Sequence, residues 1–206
     1  VPNDYCTADA IKDALPDGAW GSAYDGELAR LATAASRAID LFANRQSGYF
    51  VVTADSTRYY TGSGRSEQYI DSLATTPTSV AVDESGNGSY TTWASTDYNL
   101  WPYNAVDEGV PYVRLDINPV SSSKAVWYPF QKAVRIVGKF GFGITVHPLI
   151  EQAAVIQAVR WFKRAQQGYH DSTIVPELGQ HLYVKPLDPD VGAIIGRAPF
   201  MRGPST

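Results

Sequence analysis

Few residues in this sequence have a type and spacing that could make or break bonds. Ser63 lies between glycines in Gly62-Ser63-Gly64-Arg65, but the nucleophile elbow of acyl-transfer enzymes needs Gly-x-Ser-x-Gly, which is absent. That segment reads as a flexible loop. His147, His170 and His181 never stand four apart and have no acidic partner at metal-site spacing, so they are expected to hold no zinc. His147 precedes Pro148 and reads as a helix-entry residue, while His170 and His181 read as surface residues of a C-terminal arm. Cys6 is the sole cysteine, without a CxxC partner or a nearby histidine, and reads as a structural thiol.

Three further clusters invite chemistry and are expected to do none. Gly138-Lys139-Phe140-Gly141-Phe142-Gly143 is spaced Gly-x-x-Gly-x-Gly, the reverse of the dinucleotide fingerprint, and lacks the Gly-Lys-Ser/Thr end of a P-loop. It reads as a flexible joint between a strand and a helix. Asp83, Glu84 and Asn87 offer oxygens around Gly86, but without the acid ladder and terminal Glu of a calcium loop they read as a solvated hairpin tip. Arg160, Lys163 and Arg164 sit where they complement the dipole at a helix C-terminus, with contact to DNA as the lesser reading. The expectation is no enzyme, with no catalytic, cofactor-binding or metal-binding residues and no cofactor.

The elements that carry these residues fall into three zones. In the first, Thr7 caps a short helix over Ala8 to Leu15, with Asp9 in its first turn, and Pro16-Asp17-Gly18 stops it. A longer helix is expected from about Asp25 to Arg45. Leu28, Leu31, Ala35, Ile39 and Phe42 form its apolar stripe, and Arg30, Arg37 and Asp40 fall off that stripe. The second zone, from about 49 to 143, alternates like β-structure. Strands are expected at 49–52, 57–61, 79–82, 89–93, 112–117 and 133–138, the third and fourth joined as a hairpin through 83–88. In the third zone a helix runs from His147-Pro148 to about Gln167, where Gly168 ends it. Ala154, Val155, Ala158, Val159, Trp161 and Phe162 make its apolar face, and Gln157, Arg160, Arg164 and Gln167 a polar stripe. Beyond it an extended arm is expected, strand-like over Gln180 to Val184.

Composition bounds the function. The 206 residues are 44% hydrophobic and 18% charged, enough for a packed core. Thirteen Tyr and five Trp against one Met favour β-structure and flat contact surfaces over a leucine-rich bundle. The net charge of −4 disfavours tight binding to a phosphate backbone. No stretch approaches ~18 consecutive apolar residues, so no membrane span is expected. No basic region followed by an apolar run marks a signal peptide, Val1 reads as following a trimmed initiator, and Asn87-Gly88-Ser89 reads as turn chemistry rather than a glycosylation site. A soluble protein of a reducing compartment is the expectation.

One ordered set of segments resembles the head–tail adaptor (connector) proteins of tailed bacteriophages. It runs from Tyr5-Cys6-Thr7 and Ile11-Lys12-Asp13-Ala14-Leu15 through Ala34-Ala35-Ser36-Arg37-Ala38-Ile39-Asp40 and Arg45. It continues through Thr57-Arg58-Tyr59-Tyr60-Thr61-Gly62, Thr78-Ser79-Val80-Ala81-Val82-Asp83, Val134-Arg135-Ile136-Val137-Gly138-Lys139-Phe140-Gly141 and Pro148-Leu149-Ile150. The resemblance covers about residues 5 to 168.

It implies a structural virion protein of the neck, assembled in the host cytoplasm. Such proteins form a cyclic homo-oligomeric ring, typically twelvefold, that attaches to the portal protein. The ring continues the channel through which double-stranded DNA passes without sequence-specific binding, and it docks a stopper or tail-completion protein. The fold expected from the three zones is α+β: a helical-bundle body from residues 1–48 and 144–168, an inserted antiparallel β-domain at 49–143, and, beyond the reach of the resemblance, an extended arm at 169–206. Ring-body packing is expected from Leu28, Leu31, Ala35, Ile39, Phe42, Ala154, Val155, Ala158, Trp161 and Phe162. Portal docking is expected from Ile194, Ile195, Arg197, Phe200, Met201 and Arg202, an apolar and basic end poorly suited to a core of its own. Two alternatives stand beside this reading. One is a stopper or tail-completion protein of the same neck. The other is a carbohydrate- or ligand-binding β-module using Trp93, Tyr98, Trp101, Tyr103 and Trp127.

Overall fold

The computed structural model describes residues 3–15, 21–166, 172–175, 180–183, 187–197 and 200. Its helices are α1 (Ala8–Asp13), α2 (Asp25–Phe42), α3 (Ala105–Glu108), α4 (Pro148–Gln166) and α5 (Pro189–Ile195). Its strands are β1 (Ser56–Tyr60), β2 (Glu67–Leu73), β3 (Ser79–Val82), β4 (Thr91–Trp93), β5 (Tyr98–Trp101), β6 (Tyr112–Ile117), β7 (Val134–Gly138), β8 (Ser172–Val175) and β9 (Gln180–Tyr183). The fold is mixed helix and antiparallel sheet. The chain divides into two compact units, residues 1–48 with 146–206, and residues 49–145.

In the first unit α2 packs on α4, α4 on α5, and α1 on both long helices. Thr7 caps α1 as its side chain accepts the Ala10 N–H at 3.1 Å. Helix α2 ends at Phe42, short of the expected Arg45, for a local reason. Asn44 turns left-handed at φ 54°, the Arg45 N–H reaches the Asp40 carbonyl at 2.9 Å, and the Asn44 N–H reaches that of Leu41 at 3.1 Å. That pair of bonds satisfies carbonyls the helix would otherwise orphan.

The buried face of α2 is rotated from the expected stripe. Leu28, Ala32, Ala35, Ser36, Ile39 and Asp40 are buried, Leu31 is half-buried, and Phe42 is 40% exposed. Asp40 is inside because partners before and after the helix, together with Arg37 one turn back along it, satisfy it. The Tyr5 hydroxyl donates to its carboxylate, the Gly48 N–H reaches Oδ2 at 2.8 Å, and Arg37 Nε lies 3.3 Å from that oxygen.

On α4 the structure likewise overturns the polar assignment of Gln157, which is fully buried. Its Oε1 accepts the N–H of Asp188 at 2.9 Å, while Arg160 Nη1 sits 2.8 Å from Asp188 Oδ2. Asp188 in turn caps α5, accepting the Asp190 N–H at 2.9 Å, with Pro189 at the first helical position. Among the described residues, the expected extended arm holds an antiparallel pair of strands, β8 and β9, the latter at the expected strand-like segment, and a docked helix whose Val191 and Ile195 are fully buried.

The second unit holds two antiparallel sheets, ordered β1-β7-β3-β4 and β2-β6-β5. The expected hairpin is present, with Val80 opposite Trp93 and Val82 opposite Thr91. In β7, Val134 and Ile136 point inward and Arg135 and Val137 do not, the period-two alternation of a half-buried strand. Leu73, Val80, Val82, Trp93, Leu115, Trp127, Ile136 and Phe140 from both sheets meet in one core. Trp93 stacks on Trp127 with ring centroids 4.6 Å apart. Strands β2 and β5 are additions to the sequence expectation. The run at 49–52 is not a regular strand, although the Phe142 N–H donates to the Tyr49 carbonyl at 2.8 Å and the Val52 N–H to that of Gly143 at 2.9 Å.

Candidate interaction surfaces

Side chains that could have been reactive are occupied with structure. Cys6 is 5% exposed, and burial, then the charges of Asp4 and Glu151, push its thiol up to about 12, so it stays protonated. Ser63 braces its loop: its hydroxyl donates to the Glu67 carbonyl at 2.6 Å and accepts the Arg65 N–H at 3.2 Å. His147 accepts the Leu149 N–H on Nδ1 at 3.2 Å and meets the Phe200 ring edge-on at 5.1 Å, a helix-entry role. His170 and the side chain of His181 lie outside the described residues. Among the described residues no group of three or more His, Cys, Asp and Glu could hold a metal, and no helix is long and apolar enough to cross a membrane.

Two loops expected to be loose are tightly built. A Cβ at Gly141 would stand 2.2 Å from Val52 Cγ2, and one at Gly62 would stand 1.8 Å from the Tyr128 carbonyl oxygen. Both glycines thus let two chain segments cross at van der Waals limits. The 83–88 tip is organised by Asp83, which is only 4% exposed. Its Oδ1 accepts the N–H groups of Ser85, Gly86 and Asn87 at 3.1, 2.8 and 3.3 Å, and its Oδ2 that of Gly88 at 2.7 Å. Glu84 is engaged by Trp93 Nε1 at 3.0 Å and Lys124 Nζ at 2.5 Å. These oxygens hold the turn from within while residues 85–89 are exposed, so the tip is solvated as expected and braced as well.

The residues expected to pack the ring body divide by burial. Leu28, Ala35, Ile39, Ala154, Val155, Ala158 and Phe162 are buried within their own unit, while Leu31 and Trp161 are half-buried and Phe42 is exposed. Of the expected docking set, Ile195 and Phe200 are core residues at 0% and 4% exposure, and Arg45 Nε donates to the Phe200 carbonyl at 3.1 Å. Their apolar side chains are consumed by packing in the first unit, which corrects their assignment to a docking face. Ile194 is half-buried and Arg197 exposed; Met201 and Arg202 lie outside the described residues.

The aromatic platform expected of a sugar-binding module is divided too. Trp93, Tyr98 and Trp127 are core, leaving Trp101 at 39% and Tyr103 at 62% exposure. Arg114 lies over the Trp101 ring at 4.8 Å and over Tyr69 at 5.7 Å. Asp116 grips the guanidinium through two contacts of 2.8 Å. The cation covers faces a sugar ring would need, so the surface suits protein contact better. Tyr103, Val106 at 80% exposure, Asp107 and Glu108 stand out beside it. Sequence reasoning missed this patch because α3 is too short to show a periodicity.

No known protein family and no curated protein matches the sequence. Solved structures do. The chain is similar to one from the "Neck of native GTA particle computed with C12 symmetry", with a TM-score of 0.56 and 18% identity, over 98% of this chain and 93% of that one. It is also similar to one from the "Neck of empty GTA particle computed with C6 symmetry", with a TM-score of 0.51 and 20% identity, over 79% and 80%. The chain thus has the fold of a particle-neck protein, the class its sequence resembles.

Proposed function

We propose that this chain is a non-enzymatic structural protein of a virion neck, a head–tail adaptor that closes with copies of itself into a ring. The observation that carries the reading is the fold likeness, over nearly the whole length, to a chain of a particle neck computed with C12 symmetry. A ring of twelve copies, sitting on a portal protein and receiving a stopper or tail-completion protein, accounts for a chain in which candidate reactive groups are used structurally. The acidic balance, net −4, suits a channel through which DNA must slide without being gripped. The helical body and the β-domain of residues 49–143 make up the ring. Ile194 and Arg197, with Met201 and Arg202, are the residues offered to the portal, and assembly takes place in the host cytoplasm.

Mass photometry of the purified chain, alone and with portal, tests this. Closed oligomers in either condition are the expected result, and a strict monomer in both overturns the reading. The substitution R197E is expected to weaken portal attachment while leaving the melting temperature unchanged. Cross-linking to portal rather than to tail proteins separates an adaptor from a stopper.

A further inference from the structure

Two surfaces of this chain match in chemistry, and neither matches itself. The first is the knob around α3. Tyr103 and Val106 are 62% and 80% exposed, and Asp107 and Glu108, both exposed, have no ion pair among the described residues. The knob is stiff at its base, where Trp101 meets Tyr103 edge-on at 5.0 Å beneath the Asp116-held Arg114. A stiff apolar projection loses little side-chain freedom on docking.

The second surface is a groove of about 480 Å³ along α4 in the first unit. Val155, Ile156 and Val159 line it, and Arg160, Lys163 and Arg164 give it positive charge. The one acid among its described lining residues, Asp188, is engaged by Arg160. Lys163 is exposed and has no ion pair among the described residues.

We propose that Val106, Asp107 and Glu108 of one copy dock into the α4 groove of the next copy, valine on the apolar lining and the carboxylates against Lys163. This inference rests on the ring reading above. Knob against knob opposes acid to acid, and groove against groove opposes base to base, so only unlike surfaces attract. A contact between unlike surfaces is heterologous, the type that generates a cyclic ring when its rotation closes.

The test uses full-length protein. Copies carrying V106C and differently tagged copies carrying I156C are mixed and oxidised, buried Cys6 giving little background. Mixed-tag dimers are expected to exceed either same-tag dimer by about tenfold. Independently, K163E is expected to lower the oligomer population about tenfold, and K163E combined with D107K and E108K to restore it. Rings that form without the 106–156 link overturn the docking while leaving the ring reading intact. So does reversal without restoration. A chain monomeric at every concentration, with and without portal, overturns both.

Discussion

The Tyr5 hydroxyl donates to the Asp40 carboxylate across 35 positions of sequence, with both residues almost fully buried. Around them Ser36 Oγ accepts the Tyr5 N–H at 2.8 Å, and Arg37 reaches Ser47 Oγ at 2.8 Å and the Asn3 carbonyl at 2.7 Å. One turn of α2 thereby fixes both the segment before α1 and the loop that follows α2.

Removing Asp40 strips several donors of their acceptor at once. D40A is expected to cost ~3–5 kcal/mol, and Y5F about 1–2 kcal/mol. In a chain of this size each kcal/mol lowers the melting temperature by about 2–4 °C. Thermal unfolding followed by circular dichroism measures both, and equal effects would mean that the network does not centre on Asp40.

Helix α5 is part of a core and not a detachable tail. I195A is expected to destabilise by ~2–5 kcal/mol, whereas R197A at an exposed position changes stability by less than about 0.5 kcal/mol. Denaturant titration of the two variants distinguishes them.

Three carboxylates tie stability to acidity in the same direction. At Asp83 burial raises the pKa, but the N–H groups of Gly88, Ser85, Asn87 and Gly86 lower it further, so the net shift is downward. Lys124 and Trp93 lower Glu84, and Thr78 and Lys139 lower Asp55. Each folded value lies below the unfolded one, so the contribution is complete above the unfolded pKa and is lost as pH falls through the folded value. Stability is expected to hold steady down to about pH 4 and to decline below it. D83N should flatten that decline, which urea midpoints measured from pH 6 to pH 2 would record.

Cys6 is expected to react with a thiol reagent at pH 8 at least roughly a hundredfold more slowly in the native protein than after unfolding, because its thiol is buried and its pKa is raised to about 12. Rapid native labelling would contradict this placement.

Periodicity made α2 and α4 legible in the sequence, since each buries one face, and the Asp/Gly/Asn cluster at 83–88 between two β-prone runs did the same for the β3–β4 hairpin. What it missed depends on partners far along the chain. Asp40 and Gln157 look like solvent-facing residues until Tyr5 and Asp188 supply their hydrogen bonds. Strand β2 was hidden because Gln68 occupies an inward position and a register shift between Tyr69 and Leu73 breaks the alternation. At α5 a usable signal was present: Asp188-Pro189 is a helix start, but Gly192 and the neighbouring prolines read as breakers. The α4 groove and the α3 knob are products of tertiary placement, for which Arg160, Lys163 and Arg164 gave only a hint.

The helical unit draws on both ends of the sequence, residues 1–48 and 146–206. During translation Leu28 and Ile39 therefore stay uncovered until α4 leaves the ribosome, and a nascent chain cut short before then keeps a sticky stripe that chaperones and proteases recognise. Synthesis itself thus acts as a proofreading step, passing to the folded state only copies that were translated through α4.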